Sequence, residues 1–473
     1  MIRWRAPLAI FVSLIAVLAL APAAARSSRG AEARYVSYLP AMRTARPTWV
    51  TGLRLFDPAY GSSLTGITQA ANGELVAVGS IRLQGDLESR SIVTHLTADG
   101  NLIAMRQLSS VDGNLTDVIA TGDGGLLMIG TTGHYDNIWV VKLNAAGAIA
   151  WQFQIGRGGW QRDIARAVAE TPGGYVVLGY TESGETTQND NLWLSWLSKD
   201  GALVSQKAYD YGITDHPIGM TVTSDGGLLV AAANSADSDP ERHQSNWVMR
   251  LDASGQLLWA KTYRGNLFWA ATPAPEDGLV VLAAIRETNP DWWVARLDAD
   301  GDILWQKLFD GEWTYLPSAL ATTADGFFVG GSVIVWPYII DKWQNRMWLM
   351  LLTADGSIIR QRTYVDHAAM DIQAVYPLSD GYFLRGTAYG ESVYHRLMKT
   401  DLMGDIAGCG LVGGSELVAT DTAIAPEPAT VAVTDTQAIP QATQAVLADI
   451  DLEPTAVTLC PAAPALCRAT NDE

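Results

Sequence analysis

The sequence predicts an all-β fold: a seven-bladed β-propeller of four-stranded antiparallel blades, the ring closed by an N-terminal strand. Three observations carry this. Turn glycines recur at a near-constant interval, a tryptophan keeps a fixed offset before a second set of turn glycines, and one strand-like segment stands alone before the first repeat.

The first set is Gly73, Gly125, Gly174, Gly227, Gly278, Gly326 and Gly381, spaced by 52, 49, 53, 51, 48 and 55 residues. Asp123-Gly124-Gly125 ahead of the apolar run Leu126 to Ile129 shows the form, a tight turn feeding a strand. The second set is Gly100, Gly147, Gly201, Gly255, Gly301, Gly356 and Gly404. Trp139, Trp193, Trp247, Trp293 and Trp348 each stand eight residues before one of these. Glycine at a hairpin tip supplies positive φ, so both sets join antiparallel strands.

Within the third unit four strands are expected, around 164–169, 175–181, 192–197 and 203–209. The first repeats alanine (Ala165, Ala167, Ala169), as a crowded strand beside the axis requires. The second is continuously apolar, as a sheet covered on both faces requires. Trp49 to Phe56 looks like a fourth strand without a blade of its own, and Phe56 precedes Gly73 by 17 residues as Phe309 precedes Gly326. Residues 48 to 57 are therefore expected to complete the last blade, leaving no open edge in the ring.

The remaining chain divides by composition. Residues 1–25 read as a signal peptide, with basic Arg3 and Arg5, an apolar stretch to Ala21 and small residues at Ala23 to Ala25. The apolar stretch is shorter than the roughly 20 residues of a spanning helix. Residues 26–47 read as a leader, 48–404 as the propeller, and 405–473 as an acidic tail rich in Ala, Thr and Pro. The tail has ten acids, one base and no aromatic residue. Two forms are open for it: short strands laid against the propeller, suggested by Ala429 to Val433, or a flexible stalk. The three cysteines, Cys409, Cys460 and Cys467, all fall there. Export permits a disulfide, and both Cys409 with Cys460 and Cys460 with Cys467 are open.

Leu297-Asp-Ala-Asp-Gly301-Asp-Ile-Leu-Trp305 resembles the repeat of pyrroloquinoline-quinone-type propellers, in which a tryptophan four residues after a glycine docks on the next blade. Gly147/Trp151 and Gly255/Trp259 share the spacing; Gly201/Ser205, Gly356/Arg360 and Gly100/Ala104 do not. Over 48–404 the chain is similar to exported bacterial propeller repeats whose roles are mostly unassigned. The quinone enzymes carry eight blades, calcium and commonly a vicinal cysteine pair; seven units and no adjacent cysteines imply no such cofactor here. No Trp-Asp dipeptide marks a WD repeat, and the glycines precede the apolar strand where kelch repeats carry them after it.

A net charge of −18 disfavours nucleic acid and anionic lipid surfaces. The alternating carboxylates Asp298, Asp300 and Asp302 suggest a calcium loop but coincide with a hairpin turn shared by every unit. The six histidines are scattered, and no hydrolase or phosphate-loop motif occurs, so no metal and no catalytic residue is assigned.

The informative difference is between faces. The short glycine turns share one face, whereas the loops joining second to third strands and the blade-to-blade connections share the other and vary in length. Function concentrates on variable loops carried by a rigid scaffold. That face carries the candidate binding residues Trp160, Tyr211, Trp313, Tyr315, Trp336, Tyr338 and Trp343, with Tyr135, Phe268, Trp269, Asp163, Asp215, Asp310, Glu312 and Asp366. Aromatics among carboxylates suit sugar stacking or a protein hot spot, or else pack between blades. The expected role is a secreted or cell-surface, non-catalytic module binding a polysaccharide or an envelope or extracellular protein. The alternative is a carbohydrate-active hydrolase or lyase using carboxylates of that face.

Overall fold

The structure, a computed structural model, describes residues 49–54, 62–81, 89–109, 113–132, 137–156, 162–182, 190–211, 214–234, 245–264, 266–285, 291–310, 314–335, 344–364, 369–389 and 393–406, and seven short segments between 412 and 460. The loops of the variable face and residues 1–48 lie outside this description.

Seven antiparallel sheets form a ring. Their inner strands are Ser62–Gln69, Gly113–Ala120, Asp163–Thr171, Asp215–Val222, Asn266–Ala274, Thr314–Thr322 and Ala369–Leu378, for blades 1 to 7. Each packs on the inner strand of the next, and the first packs on the seventh, so together they surround one axis. Second strands such as Leu75–Ile81 and Leu228–Asn234 are buried along their whole length between neighbouring blades. Continuous apolar runs produce this because both sheet faces meet other sheets.

The third and fourth strands join through one turn chemistry. In blade 5 the Asp298 amide donates to Asp302 O at 3.0 Å and the Gly301 amide to Asp298 O at 3.1 Å. Gly301 has φ of 76°, which a side chain opposes. The register then slips: Leu297 faces Ile303 but Arg296 faces Trp305, leaving Leu304 as the extra residue of a bulge. Ile103, Val204, Leu258 and Ile359 hold the same place, which explains why these aliphatic side chains are exposed. The first turn set differs from the sequence reading in detail. Positive φ falls on Gly124 and Gly226, one residue before Gly125 and Gly227, and blade 5 uses Glu276 and Asp277 instead. Gly125 is small for another reason: a Cβ there would lie 2.1 Å from Leu143 O.

Blades are stapled through these turns. Trp151, Trp259 and Trp305 lie against Gly201, Gly301 and Gly356 of the following blade, where a Cβ would approach the indoles to 2.6, 2.5 and 2.8 Å. Trp305 Nε1 also donates to Ala354 O at 2.8 Å. Blade 3 has Ser205 at this position, and Trp196 on the adjacent third strand packs beneath Gly255 in its stead. The Tyr209 and Tyr263 hydroxyls donate to Gly255 O and Gly301 O, both at 2.6 Å. Within blades, the nearly buried cations of Lys142, Arg250 and Lys399 pair with Asp123, Asp225 and Asp380 of the first turn at 2.9, 2.7 and 2.8 Å.

Trp49–Arg54 completes blade 7 by pairing with Val393–Thr400. Its register corrects the spacing argument: Leu53, not Phe56, holds the place of Phe309, since Leu53 faces His395 as Phe309 faces Trp292. The connection into blade 1 is thus three residues longer than that from blade 5 into blade 6. Each four-stranded blade gains a fifth strand, because the tail adds one to each outer edge. The described tail residues take the short-strand form.

Gly301→Ala is expected to cost more than the ~1–2 kcal/mol of a left-handed alanine, because the new methyl also meets Trp259. In a Trp259→Ala background the same change should cost only the backbone share, and urea midpoints of the four proteins measure the difference.

Candidate functional site

The inner strands carry a second bulge, one per blade, at matching positions. Their registers slip across Thr65, Thr116, Arg166, Ile218, Trp269, Ser318 and Gln373. A bulge re-aims side chains, and on these strands the unpaired edge borders the axis. Each inner strand starts at the variable-loop face, and in blades 3, 4 and 5 the bulge residue is the fourth of the strand.

The seven residues divide by what they touch. In blades 6, 1 and 2 they are hydroxyls that bond backbone: Ser318 Oγ donates to Ile372 O at 2.5 Å, Thr65 Oγ1 to Leu115 O at 2.7 Å, and Thr116 Oγ1 to Ile129 O at 3.3 Å. Gln373 donates to Asp371 and accepts from Arg385. In blades 3, 4 and 5 the series changes: Arg166 is exposed, Ile218 half-buried, and Trp269 52% exposed, edge-on to buried Trp292 at 6.1 Å. Leu316, on the adjoining inner strand of blade 6, is 40% exposed. Tyr180 and His216 meet edge to face at 5.8 Å between blades 3 and 4. Three consecutive blades thus carry at the inner-strand bulge a guanidinium, an aliphatic that packs on the core between blades 4 and 5, and an indole.

The aromatics expected from sequence fare differently. Tyr315 is buried, its ring edge-on to Trp348 at 5.2 Å, so it belongs to the core between blades. Phe268 is likewise buried and stacks on Trp293 at 6.4 Å. Tyr211 is half-buried against Trp247 at 5.7 Å. Trp160, Trp313, Trp336, Tyr338 and Trp343 lie outside the described residues, as do Cys409 and Cys467; Cys460 ends the last tail strand, opposite Val50.

The described carboxylates of this face are occupied internally. Asp163 is buried and accepts from Thr181. Asp215 is buried and accepts from Trp247 Nε1 at 3.1 Å, the Tyr211 amide at 2.8 Å and Asn234 at 3.4 Å. Burial outweighs these bonds and pushes its pKa up to about 7. Asp117, bonded to the amides of Val118 and of Val168 in the next blade, is raised by burial to about 6. Asp298 caps its own turn, accepting from the amides of Asp300 and Asp302 at 3.0 and 2.8 Å, while Asp302 pairs with Lys261 at 2.6 Å. Among the described residues no group of three His, Cys, Asp or Glu could hold a metal, and no helix is long and apolar enough to cross a membrane.

No protein-family profile matches the chain, and no curated protein matches it. Among solved structures it is similar to the Dos1 propeller, at 10% identity and a TM-score of 0.41 over 76% of this chain and 96% of that one. It is also similar to a duf4221-family protein of Bacteroides vulgatus, at 9% identity and a TM-score of 0.31 over 60% of this chain and 91% of that one.

The raised carboxyls set a pH dependence. Between about pH 4 and 7 the folded state holds protons on Asp215 and Asp117 that the unfolded chain has released, so stability falls as pH rises across that range and levels off above it. Melting temperature should drop from pH 5 to pH 8, and Asp215→Asn should flatten that slope in a thermal-shift series.

Proposed function

We propose that this chain is an exported, non-catalytic binding module that captures a neutral polysaccharide at the axial mouth of its variable-loop face. The observation that carries the reading is the row of bulge residues Arg166, Ile218 and Trp269 on consecutive inner strands. Trp269 offers a flat apolar surface to the face of a sugar ring, and Arg166 supplies fixed donors to hydroxyl oxygens. Ile218 lies on the strand between them. The excess of acids, 50 against 32 bases, disfavours a polyanionic ligand and leaves an uncharged one. The core position of Tyr315 and the internal bonding of Asp163 and Asp215 take those three residues out of the site.

The scaffold suits capture more than turnover. A ring of sheets holds the three side chains on strands rather than on loops, so binding needs little ordering of the protein. The basic-then-apolar start of the chain supports export, which would bring the axial mouth to extracellular or envelope polysaccharide.

Isothermal titration of the secreted chain against soluble glucan, mannan and xylan, with reducing sugar followed in parallel, tests this. Trp269→Ala should weaken binding at least tenfold, and Arg166→Gln by a smaller factor, each with unchanged melting temperature and no sugar release. Unaltered affinity in both variants would refute the axial site, and sugar release would favour the hydrolase.

A further inference from the structure

The tail strands follow a numerical rule. Opposite the outer strands of blades 6, 5, 4, 3, 2 and 1 stand Gly413 on Thr363, Thr420 on Leu308, Glu427 on Thr262, Thr434 on Ala208, Gln441 on Gln154 and Ala448 on Gln107. Successive partners are seven residues apart. The outer-strand residues are equivalent, because each faces the same third-strand position: Trp348, Trp293, Trp247, Trp193, Trp139 and Ile92. One seven-residue repeat therefore serves one blade, and the tail travels round the ring against chain order. It finishes with Thr455–Cys460 on Trp49–Arg54, the strand that closes blade 7.

We propose that the seven tail strands from Val412–Gly413 to Thr455–Cys460 form a register-coded girdle, whose repeats read the outer blade edges in order and hold the ring shut at its closing strand. Two further features specify the register. Aspartates one residue past the rung, Asp421, Asp435 and Asp449, stand opposite Lys307, Lys207 and Arg106. Opposite charges directly across an antiparallel pair favour that alignment, and a one-residue slip loses all three. Pro428 and Pro440 flank the rung positions, in the alternate phase where an amide would point away from the outer strand. Proline has no amide N–H, so in this phase it costs no bond to the outer strand and offers none to a further strand. Since Trp49–Arg54 is held between Val393–Thr400 and Thr455–Cys460, the ring cannot open there until the end of the girdle has been peeled away.

The test uses deletions in the full-length chain, read by amide hydrogen exchange of the outer strands. Removing residues 430–436 takes out one whole repeat and shifts every later repeat by one blade. Protection should be retained on blades 1 to 6 and lost on Trp49–Arg54 alone. Removing residues 430–433 breaks phase, so protection should fall on the outer strands of blades 3, 2, 1 and 7. The same pattern in both deletions, or undiminished protection in both, would overturn the girdle. A charge reversal guards against a misfolded deletion. Asp435→Lys should speed unfolding about 2- to 5-fold, and adding Lys207→Asp should restore the rate. Equal rates in the single and double variants would remove the register code.

Discussion

The contact between an outer-strand aromatic and the next blade's turn glycine is the interaction on which the ring depends. A propeller sheet has no covalent reason to sit beside its neighbour at a given height and angle. The indole of Trp259 needs a turn with no side chain above it, and Gly301 meets that need at the residue where the turn requires positive φ. The Tyr263 hydroxyl then accounts for the carbonyl of the same glycine, a group the turn itself leaves unpaired. One residue type therefore satisfies backbone geometry, aromatic packing and hydrogen bonding together. Where the pattern departs, as at Ser205, the site is filled by Trp196 from the next strand over.

Repetition alone would give seven identical blades and an axis lined by one chemistry. Bulges break that uniformity without altering the sheet. At the outer strand the extra residue faces solvent, so aliphatic side chains such as Leu304 and Ile359 stand singly around the rim and require no partner. At the inner strand the extra residue is either a hydroxyl that bonds backbone or a larger group. Blades 6, 1 and 2 use the first option and blades 3, 4 and 5 the second. The bulge positions therefore differ in chemistry from one group of blades to the other, although all seven strands share one backbone plan.

The blade count, the hairpin turns and the closing strand were legible because they rest on local rules: glycine at positive φ, apolar runs between covered faces, and tryptophan at a constant offset. The site was much less legible. Tyr315 and Trp269 are both aromatics near the start of an inner strand, and only the bulge decides that one is core and the other exposed. A bulge leaves no mark in composition. The girdle did leave one: Thr420-Asp421-Thr422 recurs as Thr434-Asp435-Thr436, and Pro426, Pro440 and Pro454 keep the same interval of 14 residues. That interval spans two blades, and it escapes a search tuned to units of about 50 residues because each repeat is a single strand rather than a supersecondary unit.

The girdle also resolves a conflict between composition and structure. A segment without aromatics and with ten acids to one base cannot build a core, and composition alone favours leaving it unfolded. Edge strands change that balance, since what they need is a backbone ladder, a fixed register and a phase for proline, not apolar bulk. The acids then serve alignment against the lysines and arginine of the outer strands, and the small residues cost little side-chain entropy on ordering. A chain poor in hydrophobes is thus suited to the outer edge of a ring whose sheets already bury their own faces. Having left blade 7 before making a fourth strand there, the chain passes round the other six edges and ends on the strand that took its place.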